Sequence, residues 1–334
     1  MLSVFDHIPA GLLEAPAPDL HRILPGPSLV HLPGRREQPL FASIMLHGNE
    51  DTGLRAVQAL LRRYQQLPRA LSIFIGNVSA ARYGARFLPG QPDYNRIWPG
   101  TDAPDSAEAA MVREVVEIMA ARGVFASIDI HNNTGTNPLY GCVNRLDHRF
   151  LHLASLFSRT VVYFVRPLGV QSMAFAELCP AATLECGKAG QAHGLQHAVD
   201  YLDACLNLSE IPTQPVPEHD IDVFHTVAVV KVPTGVSFSF SYPEAEILFN
   251  GDLDHLNFCE LPAGTSLGAM PPNEPVRLIA ISEQGDDVTD LYFENAGGRL
   301  VLKKSAMPSM LTLDEQIIRQ DCLCYLMERC AWIR

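Results

Sequence analysis

Residues 40–50 read LFASIMLHGNE, an apolar run that ends abruptly in a histidine, a glycine, an asparagine and a glutamate. A run of this length without charge is typical of a strand buried on both faces, as in the parallel sheet of an α/β protein. In open α/β sheets, ligands bind beyond the carboxyl ends of the strands. The stretch therefore predicts a buried strand with a functional group at its end, formed by His47 and Glu50.

Similar apolar runs recur further along the chain and alternate with helical patterns. We predict buried strands at residues 71–75, 124–130, 161–165 and 181–184. We predict amphipathic covering helices at residues 52–64, 106–122, 148–158 and 194–208. Alternation of this kind indicates an α/β layer structure.

The pattern changes after a proline-containing segment at residues 211–220. Beyond it, β-rich segments are predicted at residues 227–232, 236–240, 276–281 and 299–303, followed by a final helix at residues 314–332. We therefore predict two domains. Residues 1–210 form an α/β catalytic domain, and residues 211–334 form a smaller β-rich domain with a terminal helix.

Composition excludes several classes of partner. The 334 residues are 47% hydrophobic and 19% charged, which is typical of a folded globular protein. The net charge of −12 argues against binding to nucleic acid or to an anionic membrane. No run approaches the ~20 apolar residues of a membrane span, and prolines interrupt residues 1–34, where a signal peptide would lie. We expect a cytoplasmic protein, and the sequence leaves a homo-oligomer open.

Eight cysteines in a chain of this size, without a secretion signal, are interpreted as reduced thiols. Cys322, Cys324 and Cys330 lie close together, but their spacing matches no common zinc pattern. We interpret them as residues of the predicted terminal helix.

The first candidate metal ligands are His47 and Glu50. Their H-x-x-E spacing on a strand-to-helix turn lets an imidazole and a carboxylate converge on one ion. His131 ends another apolar run and supplies a third ligand, so that a fourth position stays open for water. Asp129 is placed to accept a hydrogen bond from that imidazole. The alternatives are a surface turn for the first pair and a structural Asp–His pair for the second.

Glu185 follows the apolar run at residues 181–184 and precedes Gly187, so a strand delivers a carboxylate to the same edge. Such a carboxylate can take a proton from a metal-bound water and pass it to a leaving nitrogen. The alternative is a helix cap or an ion pair with Lys188.

Two arginines lie between these clusters, Arg86 and Arg96, the latter directly after Asn95. A guanidinium group suits two tasks, which are to stabilise a carbonyl oxygen that becomes an anion and to bind a substrate carboxylate. Surface arginines are common, so each could instead be a solvated side chain.

Together these clusters resemble the zinc carboxypeptidase superfamily, and within it the succinylglutamate desuccinylase/aspartoacylase branch. The resemblance covers about residues 40–206. It is carried by His47-Gly48-Asn49-Glu50, Gly76-Asn77, Arg86-Phe87, Asp93-Tyr94-Asn95-Arg96, Asp129-Ile130-His131 and Thr183-Leu184-Glu185-Cys186-Gly187-Lys188. It implies a mixed central sheet flanked by helices and a smaller C-terminal all-β domain.

The resemblance also implies a role for each site residue. His47, Glu50 and His131 would bind one zinc ion per chain, Glu185 would be the general base and acid, and Arg86 would polarise the carbonyl. Asn95 and Arg96 would hold a substrate carboxylate, and Tyr292 is the candidate for a C-terminal tyrosine that assists them. The aspartoacylases carry one more carboxylate-binding arginine shortly before the catalytic glutamate. Residues 172–184 contain no basic side chain, which argues against an N-acylaspartate substrate.

Three functions are compatible with this pattern. The leading hypothesis is a zinc-dependent hydrolase that cleaves the amide bond of a small, carboxylate-bearing N-acyl amino acid. The alternative is a metallocarboxypeptidase that acts on peptides or cell-wall fragments with the same chemistry. A non-catalytic binding module that keeps the hydrolase shape is the third, and the presence of every expected catalytic residue type argues against it.

Overall fold

The computed structural model describes residues 1–330, and these residues form two compact units. The first unit contains Met1–Asn132 and Leu139–Asp222. The second contains Asn133–Pro138 and the chain from Val223 to residue 330. The division between residues 210 and 211 that the sequence suggests stays a prediction.

The first unit is an α/β structure. Its strands are β1 (Ser3–Phe5), β2 (Ser28–Leu32), β3 (Gly34–Ile44), β4 (Leu67–Ile75), β5 (Ala126–Asn133), β6 (Tyr140–Val143), β7 (Thr160–Tyr163) and β8 (Ala181–Lys188). Its helices are α1 (Thr52–Leu61), α2 (Val78–Ala81), α3 (Ala107–Ala121), α4 (His148–Ser155), α5 (Gln171–Ala176) and α6 (Ala192–Asn207), with a 3-10 helix at Ala17–Arg22. All five predicted strands and all four predicted helices of this region are present.

The strands lie in the order β1-β2-β4-β3-β5-β8-β6-β7. The sheet is mixed, because β3 runs parallel to β4 and β5, whereas β2 with β4 and β6 with β8 are antiparallel. In β3, Leu40 through Ile44 are fully buried, as the uncharged run predicts. The parallel register of β3 and β5 pairs Ser43 with Asp129, so the carboxyl ends of these strands share one edge of the sheet.

Helix ends follow local chemistry. Ser106 is extended and its side chain accepts a hydrogen bond from the backbone N–H of Ala109, which caps α3. Asp147 caps α4 in the same way, through the backbone N–H of Arg149. The short strands β1, β2 and β6 were not predicted, because prolines and short length hide the β pattern there.

The second unit is β-rich. Its strands are β9 (Asp222–Lys231), β10 (Phe238–Ser239), β11 (Ile247–Phe249), β12 (Ser266–Ala269), β13 (Ile279–Ser282), β14 (Phe293–Asn295), β15 (Arg299–Leu302), β16 (Met307–Ser309) and β17 (Cys324–Arg329). Its helices are α7 (Thr289–Tyr292) and α8 (Glu315–Gln320), with a 3-10 helix at Leu253–Leu256. Five strands form a sheet in the order β10-β11-β12-β15-β14, and β9 pairs with β13 and β17. The predicted fold class, a mixed sheet flanked by helices with a smaller C-terminal β region, is confirmed.

The predicted terminal helix at residues 314–332 is wrong over most of its described length. Helix α8 ends at Gln320, and Cys324–Arg329 form strand β17, antiparallel to β9 and β16. The apolar residues of this segment fill a sheet core, with Cys324, Leu326 and Met327 buried, because long-range strand pairing overrides the local helical preference. Residues 331–332 of the predicted helix lie outside the described residues.

None of the helices in residues 1–330 has the length and apolar character needed to cross a membrane. All eight cysteines are free thiols. Cys322 and Cys324 are buried and Cys330 is half-buried. The cytoplasmic location stays a prediction.

Gly194 lies in the first turn of α6, where the helix meets β8. A Cβ atom at this position would lie 1.9 Å from the carbonyl oxygen of Cys186. Because Cys186 belongs to β8, the strand backbone would have to shift to relieve this clash. We expect Gly194→Ala to lower the free energy of unfolding by about 2 kcal/mol or more in urea titrations. Gly26→Ala is the matched control, since a Cβ there meets no atom within 4 Å. Equal stability of the two variants would contradict this packing.

Candidate active site

His47 reaches the edge of the sheet through a tight turn after β3. Met45 adopts a left-handed conformation with φ of 58°, and His47 follows two residues later, buried. A Cβ atom at Gly48 would lie 2.3 Å from the backbone nitrogen of Ala81, so only glycine allows this close approach. The N–H of Gly48 donates to the carbonyl of Arg86 at 3.1 Å, which brings the arginine segment beside His47.

The three predicted metal ligands converge on one point. One carboxylate oxygen of Glu50 lies 2.8 Å from Nδ1 of His47, and the other lies 2.8 Å from Nδ1 of His131. The ligand atoms of the three residues all lie within 4.8 Å of one another, and all three side chains are buried. Within residues 1–330, no other group of histidine, cysteine or carboxylate side chains meets this condition.

Each imidazole is held on its outer nitrogen by a further carboxylate. Nε2 of His47 lies 2.9 Å from Asp93, and Nε2 of His131 lies 2.8 Å from Asp129. The hydroxyl of Ser43 donates to the other oxygen of Asp129 at 2.5 Å. When Nε2 carries the proton, Nδ1 of both rings presents a lone pair to the shared point.

The charged forms of His47, Glu50 and His131 stabilise one another, although all three side chains are buried. Burial acts to lower the pKa of His131, but Asp129 and Glu50 outweigh it and raise that pKa well above its usual value. Burial and Arg86 act to lower the pKa of His47, and Glu50 and Asp93 raise it overall. Burial would raise the pKa of Glu50, but the two histidines hold it far below the ordinary range. Cations and carboxylates therefore stabilise one another at this point.

Asp93 connects the metal-ligand side of the site to Arg86. Its Oδ1 faces His47, and its Oδ2 accepts a hydrogen bond from Nη2 of Arg86 at 3.0 Å. Burial acts to raise the pKa of Asp93, yet His47 and Arg86 hold it well below its usual value. The Arg86 side chain is only 10% exposed, so this ion pair fixes the guanidinium in a largely dry environment.

Asn95 lies in the same cluster and Arg96 follows it. The Asn95 backbone N–H donates to Asp93 at 2.8 Å, and its side-chain oxygen accepts from the backbone N–H of Gln171 at 3.0 Å. Its Nδ2 lies 3.2 Å from Nε2 of His131. Because that nitrogen is 2.8 Å from Asp129, we assign a proton to Nε2 of His131, which donates it in a hydrogen bond to the aspartate. Nη1 of Arg96 donates to the carbonyl of Asn95.

Glu185 lies within β8, one residue beyond the predicted strand end, and is buried. The side chain of Asn132 donates to the carbonyl of Gly187 at 2.8 Å, which ties the end of β5 to β8 just past Glu185. Burial raises the pKa of the Cys186 thiol, and the negative charges of Glu185 and Glu50 raise it further. The carboxylates of Glu185 and Glu50 are thus both close enough to Cys186 to raise the pKa of its thiol.

Two other predicted residues have structural contacts. Asn77 caps α2, because its side chain accepts from the backbone of Ala80, and so it shapes the segment that leads to Arg86. Tyr292 lies in the second unit, where its buried hydroxyl donates to Glu328 at 3.2 Å. Its role in substrate binding stays a prediction.

Sequence reasoning missed Ser43, Gln171 and the double contact of Asp93. Ser43 is a polar residue inside an apolar run, and its distance of four residues from His47 was the available signal. Gln171 is fully buried and its Nε2 donates to Ser127 at 2.7 Å, but nothing in the local sequence marks it.

The donor set fits a zinc ion. Two imidazole nitrogens and one carboxylate form the three-ligand set of a catalytic zinc site, and the carboxylate partners of both outer nitrogens are typical of such sites. The chain therefore has a potential metal site at His47, Glu50 and His131.

The fold is shared with solved structures of low sequence identity. The succinylglutamate desuccinylase from Chromobacterium violaceum has a TM-score of 0.58 at 17% identity, over 89% of this chain and 86% of that one. The succinylglutamate desuccinylase/aspartoacylase from Rhodobacter sphaeroides has a TM-score of 0.60 at 14% identity, over 90% and 89% of the two chains. Murine aminoacylase 3 has a TM-score of 0.58 at 15% identity, over 89% and 96%. No curated protein sequence matches the chain.

The sequence model of the succinylglutamate desuccinylase/aspartoacylase catalytic domain matches residues 40–207, which include every candidate site residue except Tyr292. The matched segment spans half of the chain and contains the end of β3 with the following turn that carries His47 and Glu50, β5 with His131, and β8 with Glu185. The chain belongs to the succinylglutamate desuccinylase/aspartoacylase family of hydrolytic N-acyl amino acid deacylases.

Proposed function

We propose that the chain is a zinc-dependent deacylase that hydrolyses the amide bond of an N-acylated amino acid and holds one zinc ion through His47, Glu50 and His131. The observation that carries this proposal is the convergence of the three ligand atoms within 4.8 Å. The carboxylates that orient both imidazoles from behind give it further support.

When bound, zinc supplies a Lewis acid that lowers the pKa of water and polarises a carbonyl group. Glu185 takes the proton of the attacking water and delivers it to the leaving nitrogen, so that one carboxylate acts first as base and then as acid. Its buried position on a strand suits this task, since it keeps the carboxylate at a fixed depth in the site.

Arg86 stabilises the oxyanion that forms when the carbonyl is attacked. Its guanidinium group is already fixed by Asp93, so little reorganisation is needed at the moment of reaction. The same aspartate orients His47, and this ties the position of the oxyanion donor to the position of the metal ligands.

Asn95 and Arg96 bind the substrate carboxylate. Residues 172–184 carry no basic side chain, and Ser172 and Phe175 at the inner face of α5 are fully buried. A second substrate carboxylate would find no cation on this segment. We therefore assign to the site a substrate with one carboxylate, an N-acyl derivative of an uncharged amino acid.

The first prediction concerns Glu185. We expect Glu185→Gln to retain about one zinc ion per chain and to lose about a thousandfold or more in kcat, since the proton acceptor is lost and the ligands are not. His131→Ala is the comparison variant and should lose both metal and activity. Metal content is measured by atomic absorption and turnover by release of the free amine. Activity of the Glu185→Gln protein within tenfold of the parent would refute the assigned role.

The second prediction concerns Asp129, which fixes His131 from behind. We expect Asp129→Asn to weaken zinc affinity by about 10–100-fold, because the amide holds the imidazole less firmly and makes it a weaker ligand. Competition with a chromophoric chelator gives this affinity without any assay of turnover. Asp203→Asn is the matched control, since Asp203 accepts a 2.6 Å hydrogen bond from Tyr64 elsewhere in the first unit. Equal zinc affinity in both variants would be inconsistent with the role of Asp129.

The third prediction separates the deacylase from the metallocarboxypeptidase. N-acetyl and N-formyl derivatives of uncharged amino acids should be hydrolysed with a kcat/KM at least about tenfold above that of N-acetylaspartate or N-succinyl amino acids, which carry a second carboxylate, and above that of peptides. Arg96→Ala should reduce kcat/KM for these substrates by about a hundredfold through the lost carboxylate contact. A preference for peptides would instead support the carboxypeptidase.

A further inference from the structure

The first unit contains a cavity of about 430 Å³ that lies apart from the candidate active site. It is bounded by α3, by the outer face of α5, and by the segments around residues 99–100 and 165–169. Its wall is mainly apolar and includes Val116, Val165, Leu168 and Met173. This volume and lining are typical of a pocket for a small ligand with an apolar body.

One polar group in the cavity wall lacks a hydrogen bond. Nδ2 of Asn144 donates to the carbonyl of Phe164 at 3.0 Å, which fixes the orientation of the amide. The side-chain oxygen of Asn144 is buried and accepts no hydrogen bond from the residues that the structure describes. This oxygen makes the wall polar at that point, but it has almost no accessible surface, so a ligand in the cavity does not contact it directly.

Two opposite charges also line the cavity. Arg145 and Glu177 form an ion pair, and both side chains are substantially exposed. An exposed pair of this kind is weak and can open at little cost. A simple anion would be repelled by Glu177 and a simple cation by Arg145, whereas a dipolar ligand supplies the opposite charge to each.

From these groups we infer that the cavity binds a free α-amino acid with a large apolar side chain. The side chain occupies the apolar wall, the ammonium group pairs with Glu177, and the carboxylate meets Arg145. None of the candidate metal ligands or of Glu185, Arg86, Asn95 and Arg96 lines this cavity. The site is therefore separate from the proposed chemistry and does not depend on it.

Helix α5 lies between the cavity and Asn95 of the candidate active site. Met173 lies in α5 and Glu177 directly follows that helix, and the backbone N–H of Gln171 at its start donates to the side chain of Asn95. An amino acid of the class released by deacylation would thus lie against the helix that fixes one of the proposed carboxylate-binding residues.

The test uses calorimetric titration of the full-length protein with L-leucine. Because leucine is also a potential product, the titration is made in an Arg96→Ala background, which removes carboxylate binding at the active site. We expect one leucine to bind per chain in this background. Arg145→Gln and Glu177→Gln, each added to it, should weaken binding by about tenfold or more, since each removes one charged partner. Both residues are exposed, so the variants should fold.

Arg63→Gln is the matched control, because Arg63 forms a surface ion pair with Asp200 and has similar exposure to Arg145. Two probes test the dipolar character of the ligand. The amine 3-methylbutylamine lacks the carboxylate and 4-methylpentanoate lacks the ammonium group, so both should bind at least about tenfold more weakly than leucine.

Three results would overturn the inference. One is the absence of leucine binding up to about 10 mM in the Arg96→Ala background. Another is binding that stays equal in the Arg145, Glu177 and Arg63 variants. The third is a dimer that dissociates on Leu178→Glu and does not bind leucine, because the apolar wall would then be the contact surface of a second copy of the chain.

Discussion

The candidate site depends on one carboxylate that faces two imidazoles. Both oxygens of Glu50 are used, one toward His47 and one toward His131, each at 2.8 Å. The backbone N–H of Asn132 also donates to Glu50 at 3.0 Å, so the orientation of the carboxylate is fixed by the end of β5. His47, in the turn after β3, and His131, in β5, are 84 residues apart in sequence, so this convergence depends on the parallel pairing of β3 with β5.

Asp93 extends that constraint from the candidate metal ligands to Arg86, the proposed oxyanion donor. A single carboxyl group contacts His47 on one oxygen and Arg86 on the other. Gly48 contributes to the same arrangement, because its lack of a Cβ atom allows the chain near Ala81 to pack against the turn that contains His47. A change in the position of Arg86 therefore cannot occur independently of His47. The first candidate ligand and the proposed oxyanion donor are thus held by the same carboxylate.

The sequence predicts those parts of the site that depend on local pattern. An apolar run followed by a polar residue marks the strand ends. His47, Glu50 and His131 do converge, and Glu185 lies on β8 beside β5, whereas the roles of these residues stay predictions. The contacts of Ser43 with Asp129 and of Gln171 with Asn95 depend on register across the sheet and on loop packing, which no local pattern reveals. The same reason explains the error at Cys324–Arg329, where pairing with β9 converts an expected helix into a strand.

The balance of charge in the cluster bears on the choice of ion. The carboxyl groups of Glu50, Asp93 and Asp129 contact the two imidazoles, and Arg86 pairs with Asp93, so with neutral imidazoles these contacting groups carry a net charge of −2 (three carboxylates and one guanidinium). Carboxylates that are buried at this depth are costly unless they are paired. One divalent cation would supply the missing charge, and it would bind the imidazoles in their neutral form, because each must present a lone pair to it. The residues that would orient zinc are thus also those whose burial it would stabilise.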